Sequence, residues 1–471
     1  MFSDLSSRFG SEVNLQNRPM LTEAVAYYNS LLEDDELARR SKEVLDEGLE
    51  HAKLIFGGRR LTPYLRPHFV AESDWNKTVD ICRVIWRALQ KVKDAAIENT
   101  ELLDELGLTP TEKELVKIDP GYRQVSPTAR LDSFLTRDGL NFVELNGESP
   151  AGIAYSDSAS EIFASLPIMR KFAERYFIRG LEGRSKLFDV LISSYEEFLG
   201  GKPDHAPVIA IVDLKGLPTQ KEFELFKEYF EYRGCTALIC APDQLEFDNG
   251  RLYFGGAKID VVYKRLLVNE YLPIMAAYPA LLEAYRAGAV CMVNNFRAKI
   301  IHKKAIFALI TNEKYAGVFD AGEIAAIAEH IPWTRRFRME MTFYHGVEID
   351  LIEWTRANSQ KLVLKPNDDY GGQGIFIGWN SNQAEWDSAI NFALDDGDYL
   401  VQERVKTAKE HFPMIFDGDE RFVHVEQLVD LDPLLFNGEV GSAFTRLSTT
   451  ELANVTSGGG MVPTFIIEGL R

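Results

Sequence analysis

The sequence predicts a multidomain protein that joins a helical N-terminal region to α/β and α+β parts. Three observations favour this fold class. The chain has 471 residues, and a single hydrophobic core rarely organises so many. Apolar residues recur every three to four positions between 21 and 109, whereas strand and helix patterns alternate between 205 and 300. After 301, apolar strands flank a glycine-rich loop. Several subdomains around a shared cleft are therefore expected.

The composition indicates a compact globular protein without a polyanionic partner. Hydrophobic residues make up 46% of the chain, and its formal net charge is −19. That charge opposes binding to nucleic acid or to an anionic membrane, because either partner needs a basic surface. No signal-peptide pattern and no run of about 18 apolar residues occur, so a cytoplasmic location is expected. The four cysteines lack CxxC spacing, which predicts buried thiols.

Residues 1–115 are predicted to be mainly helical. Two amphipathic patterns, 21–56 and 75–106, have the helical period. The segment between them, LTPYLRPHFV, contains two prolines that rule out a regular helix. Arg66 and His68 are therefore expected on a turn, and the composition favours solvent over a cleft as their surroundings.

The second part, 116–204, begins with two predicted strands, LDSFLT and LNFVEL, around a turn at Arg137-Asp138-Gly139. Glu144 and Asn146 then lie two apart, which puts both side chains on one strand face. Carboxylate and carboxamide oxygens are ligands that Mg²⁺ prefers. An isolated ExN motif is more often a polar strand face turned to water, so this alternative stays open.

The third part, 205–300, is predicted to be a small parallel-sheet α/β lobe because strands alternate with an amphipathic helix. The fourth, 301–471, contains Lys365 at the end of the apolar strand LVLK, followed by the glycine-bearing loop Asn367–Gly374. A lysine beside small residues suits phosphate, since the ammonium neutralises charge and backbone N–H groups can approach the oxygens. The alternative is an ordinary hairpin, and GxxxxGK[ST] is absent.

Further polar residues interrupt apolar strands in this sequence. The strand DYLVQERV could present backbone groups to an adenine edge, and the turn Ser457–Gly460 could wrap a substrate or merely join strands.

An arginine in or beside a strand must find an anion or face solvent. These arginines are Arg130, Arg265 and Arg446. Acids that could add a magnesium ligand are Asp368, Asp369, Asp430 and Asp432.

These motifs occur in the order found in circularly permuted ATP-grasp ligases. Over 120–471 the chain resembles eukaryotic-type glutathione synthetase and glutathionylspermidine-synthase-like proteins. The matching motifs are ARLD with VELN, VVYKR, the adjacent lysines Lys303 and Lys304, LVLKPNDDYGGQG, VQERV and TRLSTTELANVTSGGG. The resemblance implies a permuted ATP-grasp fold with a helical N-terminal region and an inserted α/β lobe.

The resemblance also implies roles for individual residues. The implied metal ligands are Glu144, Asn146 and Asp369. The implied ATP ligands are one or both of Lys303 and Lys304, then Lys365, Gly371, Gly372, Gln373, Gly374, Gln402, Glu403, Val405 and Asp430. The implied substrate ligands are Arg130, Glu148, Ser149, Arg265, Arg446, Ser457, Gly458 and Gly459. Arg446 and Lys365 are the implied catalytic residues, for the tetrahedral intermediate and for the phosphates.

The activity implied by the resemblance is ATP-dependent ligation of a carboxylate to an amine through an acyl phosphate, with two Mg²⁺ ions. The substrates would be small molecules such as an amino acid, a short peptide or a polyamine-like amine. The resemblance also implies that the protein is a homodimer. GESPAG and SGGGMV depart from the glutathione enzymes, so the resemblance does not extend to the product. The alternatives are a regulatory ATP-binding protein and a phosphotransferase without an amine acceptor.

Overall fold

The computed structural model describes residues 17–56, 59–136, 139–369, 371–414, 422–451 and 459–471. Its α-helices are α1 (Asn17–Leu31), α2 (Asp35–His51), α3 (Glu72–Glu98), α4 (Thr100–Glu105), α5 (Pro110–Lys117), α6 (Ile153–Ser165), α7 (Pro167–Phe172), α8 (Gly183–Leu199), α9 (Gln220–Tyr232), α10 (Val268–Tyr271), α11 (Ala280–Arg286), α12 (Ala298–His302), α13 (Ala305–Ile310), α14 (Ala321–His330), α15 (Leu351–Ala357) and α16 (Gln383–Asp396).

The strands occur throughout the chain after α2. They are β1 (Ile55–Phe56), β2 (Arg59–Arg60), β3 (His68–Ala71), β4 (Thr128–Leu135), β5 (Leu140–Asn146), β6 (Tyr176–Arg179), β7 (Val208–Val212), β8 (Thr236–Cys240), β9 (Leu245–Asp248), β10 (Arg251–Phe254), β11 (Ala257–Lys258), β12 (Val261–Lys264), β13 (Cys291–Val293), β14 (Thr334–Arg336), β15 (Met341–Tyr344), β16 (Val347–Asp350), β17 (Leu362–Pro366), β18 (Phe376–Ile377), β19 (Tyr399–Glu403), β20 (Ala408–Met414), β21 (Val423–Phe436), β22 (Glu439–Ser448), β23 (Gly460–Val462) and β24 (Thr464–Leu470).

The helices of the N-terminal part cover the rest of the molecule with one apolar face each. The Asp34 carboxylate caps α2 by accepting two backbone N–H groups of its first turn, a satisfied helix start. Cys82, Leu89 and Val92 line the buried face of α3, which packs against α14 and β22. The helical period predicted for this part is confirmed, and its packed faces supply most of its stability.

An antiparallel central sheet forms the middle of the molecule, in the order β23-β22-β21-β4-β5 with β20 also paired to β21. The register pairs Asp430 with Arg446 and Asp132 with Glu144. Side chains at directly paired positions lie on the same face. The sheet therefore collects acids and arginines from both halves of the chain onto one surface. The two strands predicted for 131–145 are confirmed, while Arg137 and Asp138 of their turn lie outside the described residues.

The segment 205–300 contains the parallel sheet β13-β12-β7-β8. Its strands are apolar on both sides, since helices cover them, and α8, α9 and α11 pack nearby. Parallel pairing is what the alternation of strand and helix predicted. A hairpin of β9 and β10 turns at Asn249.

A second antiparallel sheet, β14-β19-β17-β18, carries the glycine-bearing loop between β17 and β18. Leu364 and Val401 of this sheet pack on Trp386 of α16 in a separate apolar core. The hairpin β15–β16 projects from the same part of the chain. The loop thus starts and ends on a rigid sheet.

The prediction that Arg66 and His68 face solvent is wrong. Arg66 is 1% exposed and His68 is 5% exposed. His68 begins β3, which pairs in parallel with the C-terminal β24. The Arg66 guanidinium donates to Glu410 Oε2 at 2.9 Å and stacks on the Phe412 ring at 4.1 Å. A partner from β20 therefore neutralises an arginine that would otherwise be too costly to bury.

Two predictions from composition can be compared with the structure. Each of the four cysteines is buried with a free thiol, which confirms the expected state of these side chains. In the described part of the chain, no helix combines the length and the apolar character that crossing a bilayer requires.

Candidate active site

A cavity of about 500 Å³ lies where the central sheet, the parallel sheet and the sheet β14-β19-β17-β18 approach one another. The central sheet supplies polar residues from β4, β5, β21 and β22, and the β14-β19-β17-β18 sheet supplies the apolar residues Val363, Ile377 and Trp379. A volume of this size accommodates a ligand as large as a nucleotide. The cavity lining therefore combines charged side chains with apolar ones.

Most residues predicted to act together do line this cavity. They are Arg130, Glu144, Asn146, Ser149, Arg265, Lys365, Gly371, Gly372, Gln402, Glu403, Val405, Asp430 and Arg446. The predicted residues that are described but lie outside its wall are Glu148, Lys303, Lys304, Asp369, Gln373, Gly374 and Gly459. Ser457 and Gly458 lie outside the described residues. The functional roles given to these side chains stay predictions.

Glu144 and Asn146 lie on the cavity face of β5, as the period of two predicted. The Asn146 carboxamide donates through Nδ2 to Asp132 Oδ1 at 2.9 Å. This bond assigns the orientation of the amide and leaves its oxygen available to the cavity. A carboxylate and an oriented amide oxygen side by side suit a hard divalent cation. The arrangement therefore fits Mg²⁺.

The two adjacent lysines after α12 have different surroundings. Lys304 Nζ lies 3.5 Å from Glu144 Oε1 and also donates to the backbone carbonyl of Asp369. Lys303 Nζ instead lies 2.7 Å from Asp368 Oδ2 and 3.3 Å from Glu112 Oε2. Two carboxylates thus neutralise Lys303, whereas Lys304 approaches Glu144 of the cavity wall.

Lys365 reaches the cavity from the end of β17. Its ammonium donates to Gln402 Oε1 on the neighbouring strand at 2.7 Å. Burial, opposed by Glu144 and aided by Lys304, lowers the pKa of Lys365 to about 8. The ammonium therefore loses its proton at a lower pH than an ordinary lysine until an anion compensates its charge.

Three carboxylates and two arginines form a buried cluster on the central sheet beside β5. Arg446 Nη2 lies 2.6 Å from Asp132, 2.5 Å from Asp430 and 3.0 Å from Asp432. Arg130 donates to Asp132 through Nε at 2.8 Å. Candidate metal-ligand oxygens of the three acids lie within 4.8 Å of one another. Because the two guanidinium groups already contact these oxygens, the cluster fits an ion-pair network better than a cation site.

The acids of this cluster differ in their protonation. Burial raises the pKa of Asp432 well above its usual value and raises that of Asp430 as well. Burial would also raise the pKa of Asp132, but Arg130 and Arg446 together lower it below its usual value. Like charges held this close do not all ionise. The charged form is therefore disfavoured for Asp430 and Asp432 and favoured for Asp132.

Arg265 reaches the cavity from the end of β12 in the parallel sheet. Its Nη1 donates to the Pro150 carbonyl at 2.6 Å and to the Tyr263 hydroxyl at 3.1 Å. Glu222, in the first turn of α9, lies 3.8 Å from the guanidinium. The same carboxylate accepts the backbone N–H of Gly152 at 2.8 Å. Glu222 thus fixes both the arginine and the loop after β5.

The strand β19 closes the apolar side of the cavity. The Glu403 carboxylate accepts the Tyr344 hydroxyl at 2.5 Å, and the His345 ring approaches it at 3.2 Å. These bonds fasten the hairpin β15–β16 to the strand. The side chain of Arg404 stacks on the Trp379 ring at 4.3 Å. A flat apolar slot beside backbone polar groups is a suitable site for a purine.

Comparisons with known proteins show distant relatives in sequence and in structure. No family model matches the chain. A Frankia alni protein with the provisional name glutamate–cysteine ligase 2-3 is 24% identical over 471 residues, covering 92% of this chain and 50% of that protein. Its Frankia casuarinae counterpart, 2-2, is 23% identical over 459 residues with the same coverage. The chain thus spans about half the length of these curated relatives.

Among solved structures, a glutathione synthetase-like effector from Globodera pallida in its apo form matches with a TM-score of 0.58. The two are 15% identical, and the match covers 91% of this chain and 96% of the effector. The chain therefore has the same overall fold as this glutathione synthetase-like effector. The family resemblance predicted from the sequence is thereby confirmed at the level of fold.

Sequence reasoning missed several residues that line or support this cavity. Asp132 stands in the same ARLD motif as Arg130, so the signal was present. Asp213 follows β7 and lines the cavity, and an acid at the carboxyl end of a parallel strand marks a typical ligand position. Burial raises its pKa to about 6. For Glu222 and His302 the sequence contains no comparable signal, because each occurs within a helical pattern.

Proposed function

We propose that this protein is an ATP-dependent carboxylate–amine ligase. The observation that supports this most strongly is that a carboxylate–carboxamide pair, a partly buried lysine and two arginines line one cavity. Glu144 and Asn146 share the wall with Lys365, Arg265 and Arg446. The activity needs these groups together, because a nucleotide triphosphate and a carboxylate must meet while their negative charges are neutralised.

The nucleotide end of the cavity would hold both the purine and the phosphates. Glu144, Asn146 and Asp369 would hold Mg²⁺, which when bound neutralises phosphate charge. Lys304 and Lys365 would contact the phosphate oxygens, and the glycines Gly371 and Gly372 would cover them. The backbone of β19 and the residues after it would receive the purine. Lys303 is a weaker candidate than Lys304, because Asp368 and Glu112 already pair with it.

The arginines would bind and orient the substrate carboxylate. In the reaction, a carboxylate oxygen bonds to the γ-phosphorus and ADP leaves, which forms an acyl phosphate. The amine nitrogen then bonds to the acyl carbon, phosphate leaves, and the nitrogen loses its extra proton. The contribution of the protein is positioning and charge stabilisation rather than covalent catalysis. Arg446 would stabilise the oxygen of the tetrahedral intermediate.

The names of the Frankia relatives favour amino acids as the substrates to test first. The assay is ADP release with ATP, Mg²⁺ and pools of amino acids, starting with glutamate and cysteine and extending to short peptides and polyamines. A pool that stimulates ADP release and loses amine in proportion supports the ligase. ADP release without amine loss would instead indicate a phosphotransferase, and nucleotide binding without turnover would indicate a regulatory protein.

The variant that tests the site is Glu144→Gln, which keeps the shape of the side chain and removes a metal-binding charge. Turnover should fall by at least about a hundredfold, as for loss of a principal electrostatic group. The matched control is Glu246→Gln, the same change at an exposed position in β9. Normal turnover in the Glu144 variant would remove this residue from the metal site and with it the main support for the proposal.

A further inference from the structure

Asp368, the second residue of the glycine-bearing loop, is held by side chains from two other parts of the molecule. Its carboxylate contacts Lys299 Nζ at 2.5 Å and Lys303 Nζ at 2.7 Å. Its backbone carbonyl accepts the Asn269 carboxamide at 3.2 Å. Lys299 lies in α12, Lys303 directly follows that helix, and Asn269 lies in α10.

Lys299 extends this connection to the loop that follows the metal-binding strand. The lysine is fully buried, and its Nζ also lies 3.1 Å from Glu148 Oε1. Glu148 in turn accepts the backbone N–H of Val268 at 2.7 Å and lies 3.5 Å from Lys264 Nζ. A single ammonium therefore joins α12, the loop after β5, the parallel sheet and the glycine-bearing loop.

The neighbouring aspartate has a different environment. Asp369 is exposed, and its bond to Lys304 involves the backbone carbonyl instead of the carboxylate. Its side chain therefore stays available to a metal, as the sequence resemblance implies. Two adjacent acids of the same chemistry thus have two different environments.

The glycine-bearing loop needs such an attachment because its glycines allow the backbone many conformations. Gly371, Gly372 and Gly374 have φ values of +76°, +76° and +67°, a region in which glycine is strongly favoured. The far end is held where the Tyr399 hydroxyl donates to the Gly374 carbonyl at 3.0 Å. The near end is held at Asn367, Asp368 and the Asp369 carbonyl. The span that lines the cavity lies between these two attachments.

We propose that Asp368 is a positioning residue, which fastens the glycine-bearing loop to α12 through Lys299 and Lys303 and so fixes Gly371 and Gly372 over the nucleotide. The catalytic consequence rests on the proposed ligase function, whereas the attachment of the loop does not. Burial would raise the pKa of Asp368, but Lys299 and Lys303 lower it below its usual value. The carboxylate is therefore charged at neutral pH, and ammonium–carboxylate hydrogen bonds are the stronger kind.

The test compares Asp368→Asn with Asp369→Asn in the full-length protein. Hydrogen–deuterium exchange of a peptide that covers 365–378 reports loop opening without any need for activity. Asp368→Asn should speed this exchange about tenfold in the absence of nucleotide, since two charge-assisted bonds are weakened. Asp369→Asn should leave the exchange at the wild-type rate. Equal exchange in both variants would overturn the proposal.

The kinetic readout separates positioning from chemistry. Asp368→Asn should raise the KM for ATP about tenfold while kcat at saturating ATP stays within about threefold of wild type. Asp369→Asn should mainly lower kcat. If the wild-type protein proves not to be a ligase, the dissociation constant from calorimetric titration with ATP and Mg²⁺ is compared instead of KM. The position of the loop can then be tested even if the proposed activity is wrong. An unchanged KM or binding constant in Asp368→Asn would count against positioning.

Asn269→Ala provides a second variant if Asp368→Asn does not fold. It removes only the bond to the Asp368 carbonyl and keeps the buried charges paired. We expect faster exchange of the same peptide, with a change smaller than that of Asp368→Asn. Asp368→Glu, which restores the charge, should recover part of the slow exchange. Wild-type exchange in Asn269→Ala combined with no recovery in Asp368→Glu would refute the attachment.

Discussion

The lowered pKa of Lys365 predicts that nucleotide affinity depends on pH. Phosphate binding needs the protonated lysine, and the pKa of this group is lowered to about 8, chiefly by burial. As the pH rises through this value, the free protein loses the charge, and each binding event must first recover a proton. Affinity should therefore fall with rising pH.

The magnitude follows from the protonated fraction of the lysine. With a pKa of about 8, this fraction is about three quarters at pH 7.5 and about one tenth at pH 9.0. The dissociation constant should then rise about eightfold between these two pH values, provided that the neutral lysine contributes nothing. Nucleotide phosphates are fully ionised over this range, because their last ionisation lies near pH 6 to 7. Lys365 is thus the group whose loss of a proton should weaken ATP binding over this range.

The assay is calorimetric titration with ATP across this pH range in excess EDTA, so that no divalent cation competes for Glu144. Lys365→Arg is the control, because a guanidinium keeps its charge throughout the range. The profile of this variant should be nearly flat, whatever its absolute affinity. A flat profile in the wild-type protein, or the same slope in both proteins, would refute the reasoning.

The remaining predictions concern stability. Asp132→Asn should lower the free energy of unfolding at pH 7 by about 3 kcal/mol, because it leaves buried arginine charge without its ionised partner. Asp432→Asn should cost less than about 1 kcal/mol, since burial already disfavours the charged form of this carboxyl by raising its pKa, and urea unfolding that reverses this order would contradict the assignment of charge. Gly438→Ala should cost about 1–3 kcal/mol in the same assay, because φ is +87° there and the new methyl group meets the Trp86 ring. An unchanged unfolding midpoint would show that this turn relaxes freely.

Local periodicity was enough to predict part of the site. Glu144 and Asn146 had to share a face once LNFVEL formed a strand, and Lys365 had to lie at a strand end once LVLK did. Such predictions succeed because each depends only on residues a few positions apart. The same reasoning, helped by motif order, identified the fold.

Other features could not be predicted because they depend on contacts that are distant in sequence. The choice between Lys303 and Lys304 depends on a turn at Lys303, where the backbone leaves the helix with ψ 125°. Arg66 is buried only because Glu410, 344 residues later, pairs with it. The Asp132 cluster is assembled across β4, β21 and β22. No local pattern encodes such pairings, so composition indicated solvent for Arg66.

The central sheet has a consequence for how the chain folds. Its register joins Arg130 to Leu434 across β4 and β21, so the sheet is completed only after most of the polypeptide has been synthesised. Until then β4 is an open strand edge, which invites pairing with other chains. Contacts of such long range also slow folding. A pause in translation before β21 would therefore prolong the exposure of this strand edge and favour aggregation.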